Sequence, residues 1–170
     1  MASDVQTQKA LRLRPPRHRV DPRAVWLWTT QALVLTALPV VVLAVLAALM
    51  PPARPWLLLG LVVVAVPSIP YILVMPRWRY RVHRWETTER AVYARSGWFW
   101  QQWRVAPMSR IQTVDSTRGP LQQLYGLSSV TVTTASSAGA IEIDCLDHEL
   151  AADLVEQLTA ATQATSGDAT

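Results

Sequence analysis

Between Asp144 and Glu149 the chain reads DCLDHE, a thiol, an imidazole and three carboxylates within six residues. Side chains of these types ligate metals. A zinc site, however, asks for ligands in two spaced pairs, and these residues straddle the end of an expected strand and the start of an expected helix. Asp147 is placed to cap that helix, and Glu149 to favour its N-terminal dipole. Those two roles explain most of the cluster. The other histidines, His18 and His83, stand far apart in sequence, no Ser or Cys lies in a nucleophile motif, and no Gly-rich phosphate loop is present. The residues therefore predict no catalytic group, no metal site, no cofactor and no small-molecule substrate.

Two other stretches hold groups suited to contact rather than to turnover. RIQTVDSTRGPLQQLYG runs from Arg110 to Gly126. Its first eight residues predict a strand. Gly119-Pro120 predicts a short helical turn, because proline is tolerated at an early helical position. Leu121, Leu124 and Tyr125 give that turn an apolar side, and Gly126 is placed to end it. Arg110, Gln112, Arg118, Gln122 and Tyr125 are the residues here suited to a protein partner. Trp98, Phe99, Trp100 and Trp103 crowd an expected hairpin. Alternation would turn Trp98 and Trp100 one way and Phe99 and Trp103 the other. Core filling is the expected role, since aromatics carry much of core burial. Contact with the inner leaflet is the alternative, made by Trp98 and Trp100 together with Arg77, Arg79, Arg81 and Arg84.

The elements that position these residues begin with two apolar runs, 25–50 and 56–75, neither of which contains a charge. A bilayer core about 30 Å thick needs about 20 apolar helical residues. Both runs reach that length, so a transmembrane helical hairpin is expected over 25–75. The first run is too long for a secretory signal core. Basic residues flank the pair: residues 1–23 sum to +4 and 77–90 to +3, whereas the link Pro51–Pro55 holds only Arg54. Basic flanks stay in the cytoplasm. Both termini are therefore expected inside a cell membrane, behind a basic flexible tail over 1–24. Trp26, Trp28, Trp56 and Trp78 fall near span ends, where such rings prefer to lie. The spans lack Asp, Glu, Lys and Arg, which argues against transport.

The pI near 9.8 suggests nucleic acid, but residues 91–170 sum to −4. A nucleic-acid face is basic on the domain itself, so no nucleic-acid partner is expected. The single cysteine, Cys145, excludes an intramolecular disulfide.

From residue 77 the pattern becomes strand-like. Strands are expected at 77–86, 90–95, 98–106, 111–117, 129–136 and 140–146, separated by turn signals such as Ser96-Gly97 and Ser137-Ala138-Gly139. Ile141, Ile143 and Cys145 share a face of the last. DHELAADLVEQLTAA then switches to helical period, with Leu150, Leu154, Val155 and Leu158 as its stripe. Residues 165–170 read as a disordered tail.

The order of two spans, strands, "VAPMSRIQTVDSTRGPLQQLYGLSSVTVTT", a further strand and a terminal helix resembles the bacterial pleckstrin-homology-like membrane proteins. The most specific part is Arg110-Ile111-Gln112 followed by Gly119-Pro120-Leu121 and Tyr125-Gly126-Leu127. The resemblance covers about residues 25–160. It implies a two-span α-hairpin followed by an α+β domain over 77–164. That domain is an antiparallel, partly open barrel of six or seven strands capped by a C-terminal helix. It implies no enzymatic activity, and a membrane protein partner carrying related domains. Lipid-binding pleckstrin-homology domains use basic residues in the first strand-to-strand loop; here that loop is Glu86-Thr87-Thr88-Glu89. Membrane lipids are thus expected neighbours by position rather than through that loop.

Overall fold

The computed structural model describes residues 16–135 and 139–167, with side chains described as far as Gln163. Residues 1–15 of the flexible tail expected over 1–24, the turn at Ser137-Ala138 and the last three residues of the disordered tail expected over 165–170 lie outside the described residues, whereas 165–167 continue the terminal helix.

Two long helices come first. Helix α1 (Ala24–Leu49) has 26 residues and α2 (Arg54–Val82) has 29, about 39 and 44 Å of helix. Both are long and apolar enough to cross a bilayer. A 3₁₀ turn, Pro51–Ala53, joins them, and Arg54 Nε closes it by donating to Ala47 O at 3.0 Å. A Cβ added to Gly60 would touch Leu43 at 3.9 Å, so these residues face each other across the antiparallel pair. Val34, Leu38, Val62, Val66 and Ile69 stay exposed on the outer surfaces.

Helix α2 overrides the strand expected from residue 77. The alternation in RWRYRV has a strand's period, but Met75, Pro76, Arg79, Val82 and His83 also form one helical stripe. Met75, Pro76, Val82 and His83 are buried and Arg79 half-buried on it, and tertiary packing decides for the helix. The first strand of this region is β2 (Arg84–Thr87), followed by β3 (Ala91–Gly97) and β4 (Gln101–Pro107). A short strand ahead of α1, β1 (His18–Arg19), pairs with β2 through His18↔Trp85 and Arg19↔Arg84. The tail is therefore ordered from Pro16, which is itself buried.

A second sheet holds β5 (Ile111–Thr117), β6 (Leu127–Thr134) and β7 (Ile141–Asp147) in the order β5-β6-β7; the first has the order β1-β2-β3-β4. All pairings are antiparallel. The sheets do not close on each other, so seven strands make the partly open barrel. Between β5 and β6 lies the short helix α3 (Pro120–Tyr125). Helix α4 (His148–Gly167) caps the barrel. Asp147 Oδ1 accepts the Glu149 N–H at 3.0 Å at its start. Its buried stripe is Ala151, Leu154 and Leu158, with Leu150 exposed. The stripe therefore runs one residue away from the expected position at 150.

The core joins Trp85, Val92, Leu127, Val130, Val132, Ile141, Ile143 and Leu146 to that stripe. It also takes in Val20, Ala24, Leu27 and Trp28, so the first turn of α1 is barrel core as well as the entry to an apolar helix. The aromatic hairpin does not fill the core. Residues 98–100 form the turn between β3 and β4 rather than strand, so no alternation operates there. Trp98, Phe99, Trp100 and Trp103 are all exposed. Gly97 makes the turn possible: its φ is +103°, and a Cβ would fall 1.9 Å from Trp100 O.

Candidate functional site: the junction of helices and barrel

The polar chemistry of this chain collects where the two helices meet the barrel. Its geometry begins with an irregularity in β7. Ser128 pairs with Leu146 but Val130 with Ile143, so Ser129 faces two residues, Asp144 and Cys145. Cys145 sits at φ +57°, which a non-glycine residue holds only when its surroundings enforce it. The bulge has two consequences. The Cys145 carbonyl accepts the Asp21 N–H at 3.0 Å, which fastens the segment ahead of α1. The Asp144 side chain is turned to meet α2.

Arg79 is the partner there. Its guanidinium lies over the Trp28 ring, 4.4 Å from the centroid, and Nη2 donates to Asp144 Oδ2 at 3.2 Å. His83, 3% exposed, has Nδ1 2.9 Å from Arg79 O and Nε2 3.5 Å from Arg79 Nε. Arg79 Nε–H donates to Nε2, which requires a neutral ring with its proton on Nδ1. Burial, then the Arg79 charge, holds the His83 pKa below its usual value. Asp144 Oδ1 accepts from Ser129 Oγ at 3.4 Å, and Gln122 Nε2 donates to the same hydroxyl at 2.8 Å. A polar chain thus runs from α2 through β7 and β6 to α3. The Asp144 carboxylate, a like charge, raises the Glu142 pKa.

A second clasp forms at Arg23, immediately before α1. Its guanidinium contacts Asp21 (Oδ1 at 3.0 Å), Asp147, and the Tyr125 carbonyl at 3.3 Å. Hydrogen bonds from Arg23 hold the Asp21 and Asp147 carboxyls below the usual range and raise Arg23 itself. Gly126 makes room for it. Its φ is +67°, and a Cβ would meet Arg23 Nη1 at 2.9 Å. Tyr125 OH lies 2.7 Å from Thr30 Oγ1 on α1.

The residues expected to meet a partner or lipid fall into distinct places. Gln122 and Tyr125 belong to the junction. Arg118 bridges α3 and β6, with Nη2 donating to Gln123 O at 3.5 Å and Nε to Leu127 O at 3.2 Å. Arg110 and Gln112 are exposed, in the turn before β5 and on β5 itself. Arg77 and Arg81 are exposed on α2, Arg79 is engaged as above, and Arg84 lies half-buried in β2. Trp98 and Trp100 stand on the exposed turn. The DCLDHE cluster is dispersed. Cys145 is buried and its pKa pushed up to about 12, mainly by burial. Ser128 Oγ and His148 Nδ1 lie 3.1 Å apart, and Asp147 serves Arg23. Among the described residues no group of three His, Cys, Asp or Glu is placed to hold a metal ion. Sequence reasoning missed the clasp made by Arg23 and Asp21 and the pairing of Thr30 with Tyr125. An arginine before a span reads as a topology charge, and no local signal separates Arg23 from Arg17 or Arg19.

Two apolar helices riveted by ion pairs to a helix-capped, partly open antiparallel barrel define a membrane-associated pleckstrin-homology-like protein. The family model described as "Bacterial PH domain" matches residues 31–162, and the chain belongs to that family. It is 27% identical over 156 residues to the "UPF0699 transmembrane protein YdbS" of Bacillus subtilis (strain 168), covering 90% of this chain and 97% of that one. No solved structure matches it significantly.

Proposed function

We propose that this protein is a membrane-anchored, non-catalytic interaction module, which holds its PH-like barrel against the cytoplasmic face and assembles with another membrane protein of related domain type. Supporting this reading is the double clasp at the junction. Arg23–Asp147 and Arg79–Asp144 tie the barrel to both helices, so the barrel has little freedom to leave the membrane surface. A partner in the same membrane then meets it at raised effective concentration. β5 is an edge strand of its sheet, with Gln112, Thr113, Asp115, Ser116 and Thr117 exposed and no proline among them. An edge of this kind accepts a further strand, and Arg110 and Gln112 flank it. The basic residues on both sides of the helix pair support cytoplasmic termini.

Affinity purification of the intact protein from mild detergent tests this reading. A second membrane protein in stoichiometric amount is expected, and Gln112→Lys, which places a charge on the edge, should weaken its capture. Recovery of this chain alone under every gentle condition rejects it. A reporter fused after Thr170 that is active only outside the cell would reject the topology. The second reading is an anionic-lipid or envelope-stress sensor, favoured by Arg77 and Arg81, exposed on α2. It requires headgroup binding that is lost with salt.

A further inference from the structure

The side of the barrel that meets the two long helices carries two apolar tips, one from each sheet. The first is the β3–β4 turn, where Phe99 is 72% and Trp100 79% exposed. The second is α3, where Leu124 is 76% exposed. Neither tip bears a charge: none occurs between Arg95 and Arg104, or between Arg118 and Glu142. Arginines stand at the base of each. Arg95 stacks on Trp103 at 4.8 Å, and Arg118 bonds Gln123 O of α3 and Leu127 O of β6.

Both tips lie beside the long helices, and the side chains that contact those helices, Trp98 and Tyr125, do so at one level. Trp98 touches Tyr71 of α2, with ring centroids 6.0 Å apart. Tyr125, next to Leu124, reaches Thr30 of α1 at 2.7 Å. The facing of Leu43 and Gly60 sets the register of the antiparallel pair. Thr30 lies 13 residues before Leu43, and the same distance after Gly60 is Leu73. Thr30 and Tyr71 are therefore within about 3 Å of one another along the helix axes. Arg77, the first charge at the inner end of α2, is six residues further on, about 9 Å nearer the cytoplasm. A surface at the level of Tyr71, beside two membrane-crossing helices, faces lipid.

We propose that the Trp98-Phe99-Trp100 turn and Leu124 of α3 are paired prongs inserted into the acyl region of the cytoplasmic leaflet, the first beside α2 and the second beside α1. The inference rests on the reading of α1 and α2 as membrane spans. It adds a lipid contact that is apolar rather than directed at headgroups. The contact of Trp98 with Tyr71 places the first prong about 9 Å past Arg77, within the depth at which interfacial elements bury their apolar faces. Tryptophan and leucine carry the apolar area, and the arginines at the base remain with the phosphates. The prongs fix the rotation of the barrel about the helix pair as well as its height.

The test uses the full chain in vesicles of phosphatidylethanolamine and phosphatidylglycerol. A bimane label is placed singly at Trp100→Cys, Leu124→Cys, Ser109→Cys and Val62→Cys. Cys145 is buried and stays unlabelled. Both prong positions are highly exposed, so the substitutions leave folding intact. Quenching by lipid carrying a nitroxide near the top of its acyl chain is compared with quenching by aqueous iodide. Trp100→Cys and Leu124→Cys should lose most of their emission to the lipid nitroxide and little to iodide, with Ser109→Cys showing the reverse. If Val62→Cys meets lipid but the prong sites behave like Ser109→Cys, or are shielded from both quenchers, the prongs are overturned while the spans stand. Lipid contact at only one prong overturns the paired arrangement. Absence of lipid contact at Val62→Cys overturns the spanning reading itself.

Discussion

The junction and the apolar rim proposed to enter the membrane lie on the same side of one small barrel and are built on opposite principles. At the junction, charged groups are engaged by named partners: Arg23 by Asp21 and Asp147, Arg79 by Asp144 and His83. At the rim, large apolar rings are left without cover: Phe99, Trp100 and Leu124. A soluble domain would bury the rings and expose the charges. The contrast supports the proposal that this side of the barrel abuts an apolar phase. Polar groups brought into a poorly hydrated zone must be satisfied internally, whereas apolar groups facing lipid need no partner.

Substitutions break this contrast in a definite order. The largest loss is expected for Asp144→Ala, which strands Arg79 and breaks the path from α2 to β6. Both side chains keep 28% and 21% exposure, so the loss should fall below that of a fully buried pair, at about 2 kcal/mol. Thermal unfolding in mild detergent measures it, and a double-mutant cycle with Arg79→Ala isolates the pair. Gly126→Ala comes next, at about 1 to 2 kcal/mol. Adding Arg23→Ala to it relieves the side-chain clash but leaves the left-handed backbone and removes the clasp to Asp21 and Asp147, so stability should not return.

A pH effect follows from His83. Its folded-state pKa lies below the usual 6.5, so the unfolded chain binds the proton more readily. Stability from the neutral ring is complete above 6.5 and falls as the pH drops below it. Melting temperature should decline on acidification through this range, and His83→Gln should flatten the decline. Asp21 and Asp147 act at lower pH: held below 3.8, they lose their contribution only as the pH falls below that value. The smallest effect belongs to the rim. Phe99→Ser and Trp100→Ser should change detergent stability by no more than about 0.5 kcal/mol. A large loss at Trp100 would erase the distinction between the two regions.

Much of the architecture was legible along the chain. Apolar runs without charge marked α1 and α2, and turn residues marked most strand boundaries. Gly119-Pro120 and Gly126 bounded α3 as expected. The misreadings share one cause. RWRYRV repeats with a strand's period and was expected to leave the helix, yet Met75, Arg79, Val82 and His83 have burial partners only on a helical stripe. WFW has the composition of strand interior and instead forms a turn, because Gly97 at φ +103° reverses the chain one residue earlier. His18-Arg19 is too short for any periodicity, and only the free edge of β2 makes it a strand.

Hydrophobic length, charge placement and turn chemistry are local properties, and they determined the paired helices, the strand-rich domain after them and its terminal helix. Which arginines form the clasp, which rings stay uncovered and why Cys145 adopts a left-handed backbone were decided only in three dimensions. Each depends on groups far apart in sequence, such as Arg23 with Asp147 and Tyr71 with Trp98. A charge or a ring has no fixed role until the fold determines what stands opposite it.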